Sequence, residues 1–238
     1  MTPTPPILEF ETRELASAAA MSELASALKT GLTDKGAASL LVSGGSSPKR
    51  AHQLLSHTDL DWASVTVGLV DERWVDPGED GSNETFVRDS LLQNHASMGH
   101  FIGMKTLHAS PFEAVEHVAA AYREIPAPYD AVFLGMGPDG HVASWHPHTQ
   151  GLELALDPSN QSPVTATRAT PSNVTGPYLD RMTLTLPPIA SARRVVLLIM
   201  GQAKRDTLDQ AMRSPVADMP VRAAVEATHD TLKIIWAP

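Results

Sequence analysis

Asp139 and His141 are the two residues whose types and spacing point most directly to catalysis in this 238-residue chain. They lie in the segment Gly135-Met-Gly-Pro-Asp-Gly-His-Val-Ala-Ser144, where Asp139 and the glycine after it predict a tight turn. A neutral imidazole can act as a general base, and a carboxylate two residues earlier can fix its tautomer or hold an attacking water. We expect the turn to place His141 near the start of a helix, where the helix N-terminus disfavours the charged imidazolium.

A second loop carries two acids and an arginine, in the segment Val70-Asp-Glu-Arg-Trp-Val75. Such residues are costly to bury at the end of an apolar strand unless they pair or face a ligand. We therefore expect Arg73 to point into the site as a fixed cation for a phosphate or for a developing oxyanion. Asp71 is expected to orient hydroxyl groups or a neighbouring cation. Farther along, Ser82 or Asn83 is expected to cap the next helix.

The third loop, Ser43-Gly-Gly-Ser-Ser-Pro-Lys-Arg50, directly follows a predicted buried strand. Gly44 and Gly45 allow the backbone to approach a ligand closely, so that the N–H groups of the loop and of the helix start face an anion. Ser47 is expected to cap the helix that Pro48 starts. The spacing of a Walker A loop is absent, which disfavours ATP with magnesium. A tight strand-to-helix turn with no ligand is the alternative.

Three later cations are weaker candidates for the same site. Lys204 comes shortly after Gly201 at the end of a predicted strand, on the same side as the other loops, although a surface lysine on a helix is the alternative. Arg181 precedes a short apolar stretch. Arg168 lies in a polar segment and is the weakest of the three.

A metal site is considered and disfavoured. His146 and His148, together with His141, could supply three ligands, but the proline between the first two restricts their geometry. The chain has no cysteine, so no thiolate supports a metal and no disulfide is possible. We expect neither a metal nor another cofactor.

The elements that must position these loops alternate between strands and helices, which predicts right-handed crossovers and a mostly parallel sheet in one domain, 1–238. The segment 150–178 is polar and is expected to be a long loop. Strands are expected at 7–10, 37–42, 65–70, 131–134 and 195–199, with edge strands at 183–186 and 231–236. Helices are expected from a cap at Thr12 to Leu32 and at 48–55, 83–92, 111–123 and 202–212.

Composition excludes several classes of protein. The net charge is −9, which argues against a general binder of nucleic acid or membrane surfaces. The longest apolar run, 195–200, is far below the roughly 20 residues of a membrane-spanning helix. The stretch 1–6 lacks the basic and apolar regions of a signal peptide. We expect a cytoplasmic protein that is a monomer or a weak homodimer and acts on a small molecule.

Taken together, the motifs resemble the 6-phosphogluconolactonase family over residues 37 to 236. That family shows a Ser-Gly-Gly-Ser-Thr-Pro type loop, an Asp-Glu-Arg-aromatic-Val segment with a later Ser-Asn, and Gly-Met-Gly-Pro-Asp-Gly-His. It also shows Arg-x-Thr-Leu-Thr-Leu-Pro and Gly-x-x-Lys. The matching stretches here are 43–48, 71–75 with 82–83, 135–141, 181–187 and 201–204. This chain departs from the family at Val142-Ala-Ser-Trp-His-Pro147, where Thr-Ala-Ser-Leu-Phe-Pro is usual.

The resemblance implies a Rossmann-like sheet of the sugar-phosphate-isomerase type, flanked by helices. It implies metal-free hydrolysis of 6-phospho-D-glucono-1,5-lactone to 6-phosphogluconate in the oxidative pentose phosphate pathway. His141 is then expected to act as base and later as acid, with Asp139 positioning it and Arg73 stabilising negative charge. The phosphate end is expected to be held by Gly44, Gly45, Ser46, Arg181 and Lys204, with Arg168 possible.

Two other functions remain open at this point. Glucosamine-6-phosphate deaminases and related isomerases share the Asp-Gly-His loop, but they typically carry an acid a few residues after the histidine and a tyrosine after Asp-Glu. Here 142–148 contains no carboxylate, and Arg73 takes the other position. A non-catalytic sugar-phosphate sensor is the second alternative. Such regulators usually append a DNA-binding unit. A chain of 238 residues leaves no room for one, and a net charge of −9 does not provide the positive potential that DNA binding needs.

Overall fold

Apolar runs that are buried on both faces build the central sheet. The computed structural model describes residues 5–238, so the first four residues of the stretch 1–6 lie outside the description. In chain order the strands are β1 (Ile7–Glu9), β2 (Ala38–Val42), β3 (Val65–Leu69), β4 (Asp71–Arg73), β5 (His100–Ile102), β6 (Ala131–Gly135), β7 (Val164–Arg168), β8 (Asp180–Leu184), β9 (Val195–Met200) and β10 (Leu232–Ala237).

Seven of these strands form one parallel sheet in the order β1-β10-β9-β6-β2-β3-β5. All five residues of β2 are buried, as the continuous apolar sequence of that strand predicts for a sheet covered on both faces. The remaining strands form a small antiparallel sheet in the order β4-β8-β7. The predicted α/β class and mostly parallel sheet are therefore confirmed.

Two of the predicted helix caps, Thr12 and Ser82, are confirmed. The helices are α1 (Arg13–Lys35), α2 (Lys49–Ser56), α3 (Asn83–Ser90), α4 (Pro111–Arg123), α5 (Leu152–Leu156), α6 (Leu186–Ala190), α7 (Gln202–Ala211) and α8 (Val221–Ala227), with 3-10 turns at Trp62–Ser64 and Asn94–Met98. Thr12 caps α1 by accepting the N–H of Leu15, and Gly36 ends that helix at a positive φ of 71°. Ser82 caps α3 in the same way. None of the described helices is long and apolar enough to cross a membrane.

Several boundary predictions are wrong for identifiable reasons. The predicted edge strand 183–186 belongs to β8 of the small sheet, and Leu186 begins α6 because prolines favour a first helical turn. The predicted edge strand 231–236 forms, but β1 pairs outside it and places β10 inside the sheet. Ser47 does not cap α2, since Pro48 takes the cap position without a side-chain hydrogen bond.

The segment 150–178 is not a long loop, because it contains α5 and β7. Because threonine is polar, the sequence of β7 predicts a loop. Thr165 and Thr167 are buried in β7, where β-branched side chains fit the pleated surface.

A glycine in α1 allows the helix to lie directly on a buried carboxylate. A Cβ added to Gly31 would meet Cγ of Asp130 at 2.6 Å. Asp130 is fully buried and accepts hydrogen bonds from the backbone N–H of Ser39 and from Lys35. The carboxylate therefore cannot easily move away from a larger residue.

We predict that Gly31→Ala destabilises the protein, although alanine is the better helix former by about 1 kcal/mol. The methyl group displaces a buried, hydrogen-bonded carboxylate, so the net loss in the free energy of unfolding should be about 1–2 kcal/mol. Urea unfolding at pH 7 measures this change. Ser22→Ala, at an exposed position of the same helix, is the matched control and should be neutral or slightly stabilising. A Gly31→Ala variant as stable as Ser22→Ala would contradict the prediction.

Candidate active site

The three predicted loops meet because parallel strands end at the same edge of the sheet. In the register of the sheet Val42 lies beside both Leu69 and Phe133, so the segments after β2, β3 and β6 emerge side by side. The pairing of β6 with β9 brings the segment before Lys204 to the same edge. A cavity of about 200 Å³ opens there. The residues predicted for the site that line it are Gly44, Gly45, Ser46, Asp71, Arg73, His141, Arg181 and Lys204.

The loop between β2 and α2 presents unpaired backbone donors to this cavity. The N–H groups of Gly44, Gly45, Ser46 and Ser47 donate to no other group among residues 5–238. Gly45 has a φ of 98°, and a Cβ on Gly44 would lie 2.1 Å from Oδ1 of Asn83. Glycine is therefore required at both positions, by conformation at the first and by close approach at the second. Adjacent free N–H groups suit an anionic ligand.

The buried carboxylate of Glu72, for which the sequence motifs predict no role, holds the second loop in place. Glu72 accepts the backbone N–H groups of Arg73 (2.8 Å), Asn83 (2.7 Å) and Glu84 (2.7 Å). It thereby joins β4 to the first turn of α3. Burial raises the pKa of Glu72 to about 7, even though the backbone hydrogen bonds by themselves lower it. The available signal was an acid between two cavity residues of a strand, whose side chain must point to the opposite face.

Asp71 and Arg73 then face the cavity from the other side of β4. Asp71 accepts hydrogen bonds from Oγ of Ser144 (2.6 Å) and from Nδ2 of Asn83 (3.3 Å to Oδ1). Arg73 donates through Nη1 to the carbonyl of Gly81 at 2.7 Å. Its Nε is buried and has no hydrogen-bond partner within the described part of the chain. The guanidinium is thus held at Nη1, while the N–H of Nε is a buried donor without a partner.

Two further cations line the cavity, and both are partly withdrawn from water. Arg181 is 3% exposed and donates to the carbonyls of Tyr178 and Thr175. Burial lowers the pKa of Arg181 to about 10, Asp71 opposes that change, and the charge of Arg73 adds to it. Burial also lowers the pKa of Lys204 below its ordinary value. With a pKa of about 10, Arg181 remains cationic at neutral pH.

Asp139 and His141 form the hydrogen-bonded pair that the sequence predicts. Nδ1 of His141 lies 2.5 Å from Oδ1 of Asp139. Burial by itself raises the pKa of Asp139, but hydrogen bonds from His141 and His146 outweigh it and hold the pKa far below its usual value. An ionised carboxylate only accepts hydrogen bonds, so the proton lies on Nδ1 of His141 and Nε2 carries the lone pair. That is the tautomer a base requires.

The local backbone differs from the prediction for this turn. No helix starts at His141, because the chain runs through turns from 136 to 150 before α5 begins. The predicted helix start therefore does not lie at the imidazole, and the contact of Nδ1 with Asp139 sets its tautomer. Gly137 makes the close packing possible, since a Cβ there would lie 2.1 Å from the His141 ring.

The three histidines that were considered and disfavoured as metal ligands do not come together. His148 is exposed and pairs with Asp218 at 2.9 Å. Asp139, His141 and His146 instead bring ligand-type atoms within 4.8 Å of one another. Both Nδ1 atoms already face the two oxygens of Asp139, at 2.5 Å and 3.4 Å. We interpret the group as a hydrogen-bonded network, and the expectation of a metal-free site stays a prediction.

Two predicted site residues do not line this cavity: Asp139 contacts it through His141, whereas Arg168 lies away from it. Arg168 ends β7, and its exposed guanidinium forms a bidentate pair with Asp180 at 2.5 and 2.8 Å. Asn83, which the sequence analysis treated only as a possible cap, lines the cavity instead. Because β7 was not predicted in this polar segment, the direction in which the Arg168 side chain points could not be predicted either.

The fold and the site define an α/β protein whose ligand site lies at the carboxyl edge of a parallel sheet. Residues 11–236 match the family model described as glucosamine-6-phosphate isomerases/6-phosphogluconolactonase. The chain belongs to this family. It is 37% identical to a 6-phosphogluconolactonase of Rhizobium meliloti over 96% of this chain and 97% of that protein. It is 40% identical to one of Pseudomonas aeruginosa, over 91% of this chain and 88% of that protein.

A solved structure gives the same result for the fold. The crystal structure of a 6-phosphogluconolactonase from Shewanella baltica superposes with a TM-score of 0.91 at 37% identity, covering 100% of this chain and 99% of that chain.

We predict that Glu72 makes stability fall as the pH rises through the range between its unfolded and folded pKa values. With a folded pKa of about 7 against 4.5, the folded state holds the proton more tightly. The stabilisation is complete below pH 4.5 and is lost as the pH passes about 7. Glu72→Gln cannot titrate, so the free energy of unfolding of the wild type relative to this variant should fall by about 3 kcal/mol from pH 4.5 to pH 8. Urea unfolding across that range measures it, and a constant difference would contradict the prediction.

Proposed function

We propose that this chain hydrolyses 6-phospho-D-glucono-1,5-lactone to 6-phospho-D-gluconate, in the oxidative pentose phosphate pathway. The observation that carries the proposal is one cavity in which an aspartate-oriented imidazole faces unpaired backbone donors and fixed cations. Lactone hydrolysis needs an activated water, stabilisation of the tetrahedral oxyanion, and a proton for the leaving ring oxygen. The full-length similarity to proteins named 6-phosphogluconolactonase supports the same reaction.

His141 supplies both proton transfers. Its Nε2 accepts a proton from water as the water oxygen bonds to the lactone carbonyl carbon, which gives a tetrahedral oxyanion and an imidazolium. When the bond from that carbon to the ring oxygen breaks, the imidazolium returns the proton to the ring oxygen as it becomes a hydroxyl. Asp139 holds Nδ1–H throughout and stabilises the imidazolium.

Arg73 is assigned to the negative charge that develops during the reaction. Its backbone is tied to Glu72 and its Nη1 to Gly81, so the cation needs no rearrangement when the oxyanion forms. Asp71 lies on the same face of β4 and orients the sugar hydroxyls and the neighbouring Arg181.

The phosphate end is assigned to the loop after β2 and to two cations. The backbone N–H groups of Gly44, Gly45 and Ser46 donate hydrogen bonds to the phosphate oxygens. Arg181 and Lys204 supply the positive charge that balances the phosphate. Arg168 is not included, because its guanidinium is paired with Asp180 away from the cavity. No step in this scheme requires a metal or another cofactor.

We also infer that residues 1–238 act as one cytoplasmic domain, as a monomer or weak homodimer. Pairing of β1 with β10 joins the two ends of the chain in one sheet and supports a single domain. A phosphorylated sugar lactone is a charged intermediate that membranes retain, which favours the cytoplasm. The net charge of −9 disfavours nucleic-acid and membrane partners.

The decisive prediction concerns His141. The purified protein should accelerate lactone hydrolysis above the spontaneous rate, the acceleration should survive EDTA, and His141→Ala should lower kcat by about 10²- to 10⁴-fold because the base is lost. The lactone is generated in place by glucose-6-phosphate dehydrogenase, and product is coupled to 6-phosphogluconate dehydrogenase. His148→Ala, which removes an exposed histidine outside the cavity, is the matched control. A wild type no faster than background would sink the proposal, and loss of activity on chelation would contradict the metal-free mechanism.

The phosphate assignment gives a separate prediction. Lys204→Met should raise KM by about 10-fold or more, because a charge-assisted contact to the phosphate is lost. Arg168→Met is the matched control, since it removes an exposed cation that lies outside the cavity and pairs with Asp180. Initial rates across a range of lactone concentrations measure both. Equal effects of the two substitutions on KM would contradict the assignment, since Lys204 would then act only through the overall electrostatic potential of the protein.

A further inference from the structure

His146 lies directly behind the catalytic pair without lining the cavity. Its side chain is buried, and its ring centroid is 3.9 Å from that of His141 at an interplanar angle of 36°. Its Nδ1 lies 3.4 Å from Oδ2 of Asp139, while Nδ1 of His141 contacts Oδ1 of the same carboxylate. One carboxylate thus bridges two imidazoles.

The direction of the second hydrogen bond follows from the charge of Asp139. An ionised carboxylate only accepts, so Nδ1 of His146 carries the proton and donates it. Nε2 of His146 is then an acceptor, and it has no hydrogen-bond partner among residues 5–238. Burial, the foremost cause, lowers the pKa of His146, and the hydrogen bond to Asp139 only partly opposes this. Burial therefore disfavours the charged form of this ring.

We infer that His146 is a positioning residue of the reaction proposed above: it holds the second oxygen of Asp139 so that the first stays on Nδ1 of His141. The inference rests on the proposed function. Asp139 is 25% exposed along its side chain, so water competes for its oxygens. Oδ1 of Asp139 accepts both Nδ1–H and the backbone N–H of His141, the latter at 3.3 Å, whereas His146 is the donor to Oδ2. Donors on both oxygens fix the plane of the carboxylate more firmly than donors on one oxygen. A fixed plane keeps Nε2 of His141 as the atom that accepts the proton from water.

Two substitutions separate the hydrogen bond from the packing. His146→Phe keeps an aromatic ring against His141 and removes the donor. His146→Asn removes the ring but keeps an N–H donor, because the amide nitrogen of asparagine takes the place of Nδ1. We expect His146→Phe to lower kcat about 5- to 30-fold with KM changed less than about twofold, since His146 does not line the cavity. We expect His146→Asn to retain kcat within about threefold of the wild type.

A spectroscopic measurement tests the inference without relying on turnover. In protein labelled with ¹⁵N-histidine, the ring nitrogens of His141 should report the Nδ1–H tautomer in the wild type and in His146→Asn. In His146→Phe they should report a mixture of tautomers. His148→Phe is the matched control and should leave both kcat and the His141 spectrum unchanged. Thermal unfolding checks that each variant is folded.

The outcomes are distinguishable. If the wild type does not hydrolyse the lactone, the proposed function fails, while the tautomer of His141 in the variants still tests the positioning role. If His146→Phe retains wild-type kcat and a single tautomer, the inference is overturned. If the phenylalanine and asparagine variants lose kcat equally, packing rather than donation matters, and the inference is overturned as well.

Discussion

The buried carboxylate of Glu72 is the interaction on which the geometry of the site depends. It accepts backbone N–H groups from Arg73 in β4 and from Asn83 and Glu84 at the start of α3. Burying a carboxylate is costly unless donors surround it, and the first turn of a helix supplies donors that lack partners of their own. The small sheet and α3 are therefore locked together where the cavity forms. Together with the pairing of β4 with β8, this link places Arg73 and Asn83 beside the loop after β2.

The alternation of side chains along β4 turns this structural link into chemistry. Asp71 and Arg73 lie on the cavity face, and Glu72 lies on the other face against α3. Trp74 continues the strand by donating to the carbonyl of Asp180, so the backbone around Arg73 is held from both directions. Three charged residues in sequence thus serve two purposes. The middle one fixes the backbone, and its neighbours present opposite charges to a ligand without needing to move.

The sequence predicts the main sheet and the three loops because buried parallel strands are continuous apolar runs, and because Gly and Asp-Gly mark sharp turns. It predicts the Asp139–His141 pair because two residues in one turn can contact each other without long-range information. It does not predict Glu72, since its donors come from a helix start 11 and 12 residues away. It also misplaces Arg168, because a strand made of threonine and alanine reads as loop. The sequence suggests His146 only as a possible metal ligand. Its contact with Asp139 is not predicted, because that contact depends on how the chain turns after Pro138.

The overall charge of −9 and the cationic cavity are compatible because potential is local. Arg73, Arg181 and Lys204 converge on one small volume, and only Asp71 among the residues lining that volume opposes them. Burial is the main reason that Arg181 has a lowered pKa, and the charge of Arg73 adds to the effect. Holding these cations in the cavity therefore carries a free-energy cost. A phosphorylated ligand removes part of this cost by supplying two negative charges, and the acidic surface elsewhere does not compete because water and salt screen it beyond about 10 Å. Specificity for an anionic sugar follows from the arrangement of charge within the cavity rather than from the charge of the whole protein.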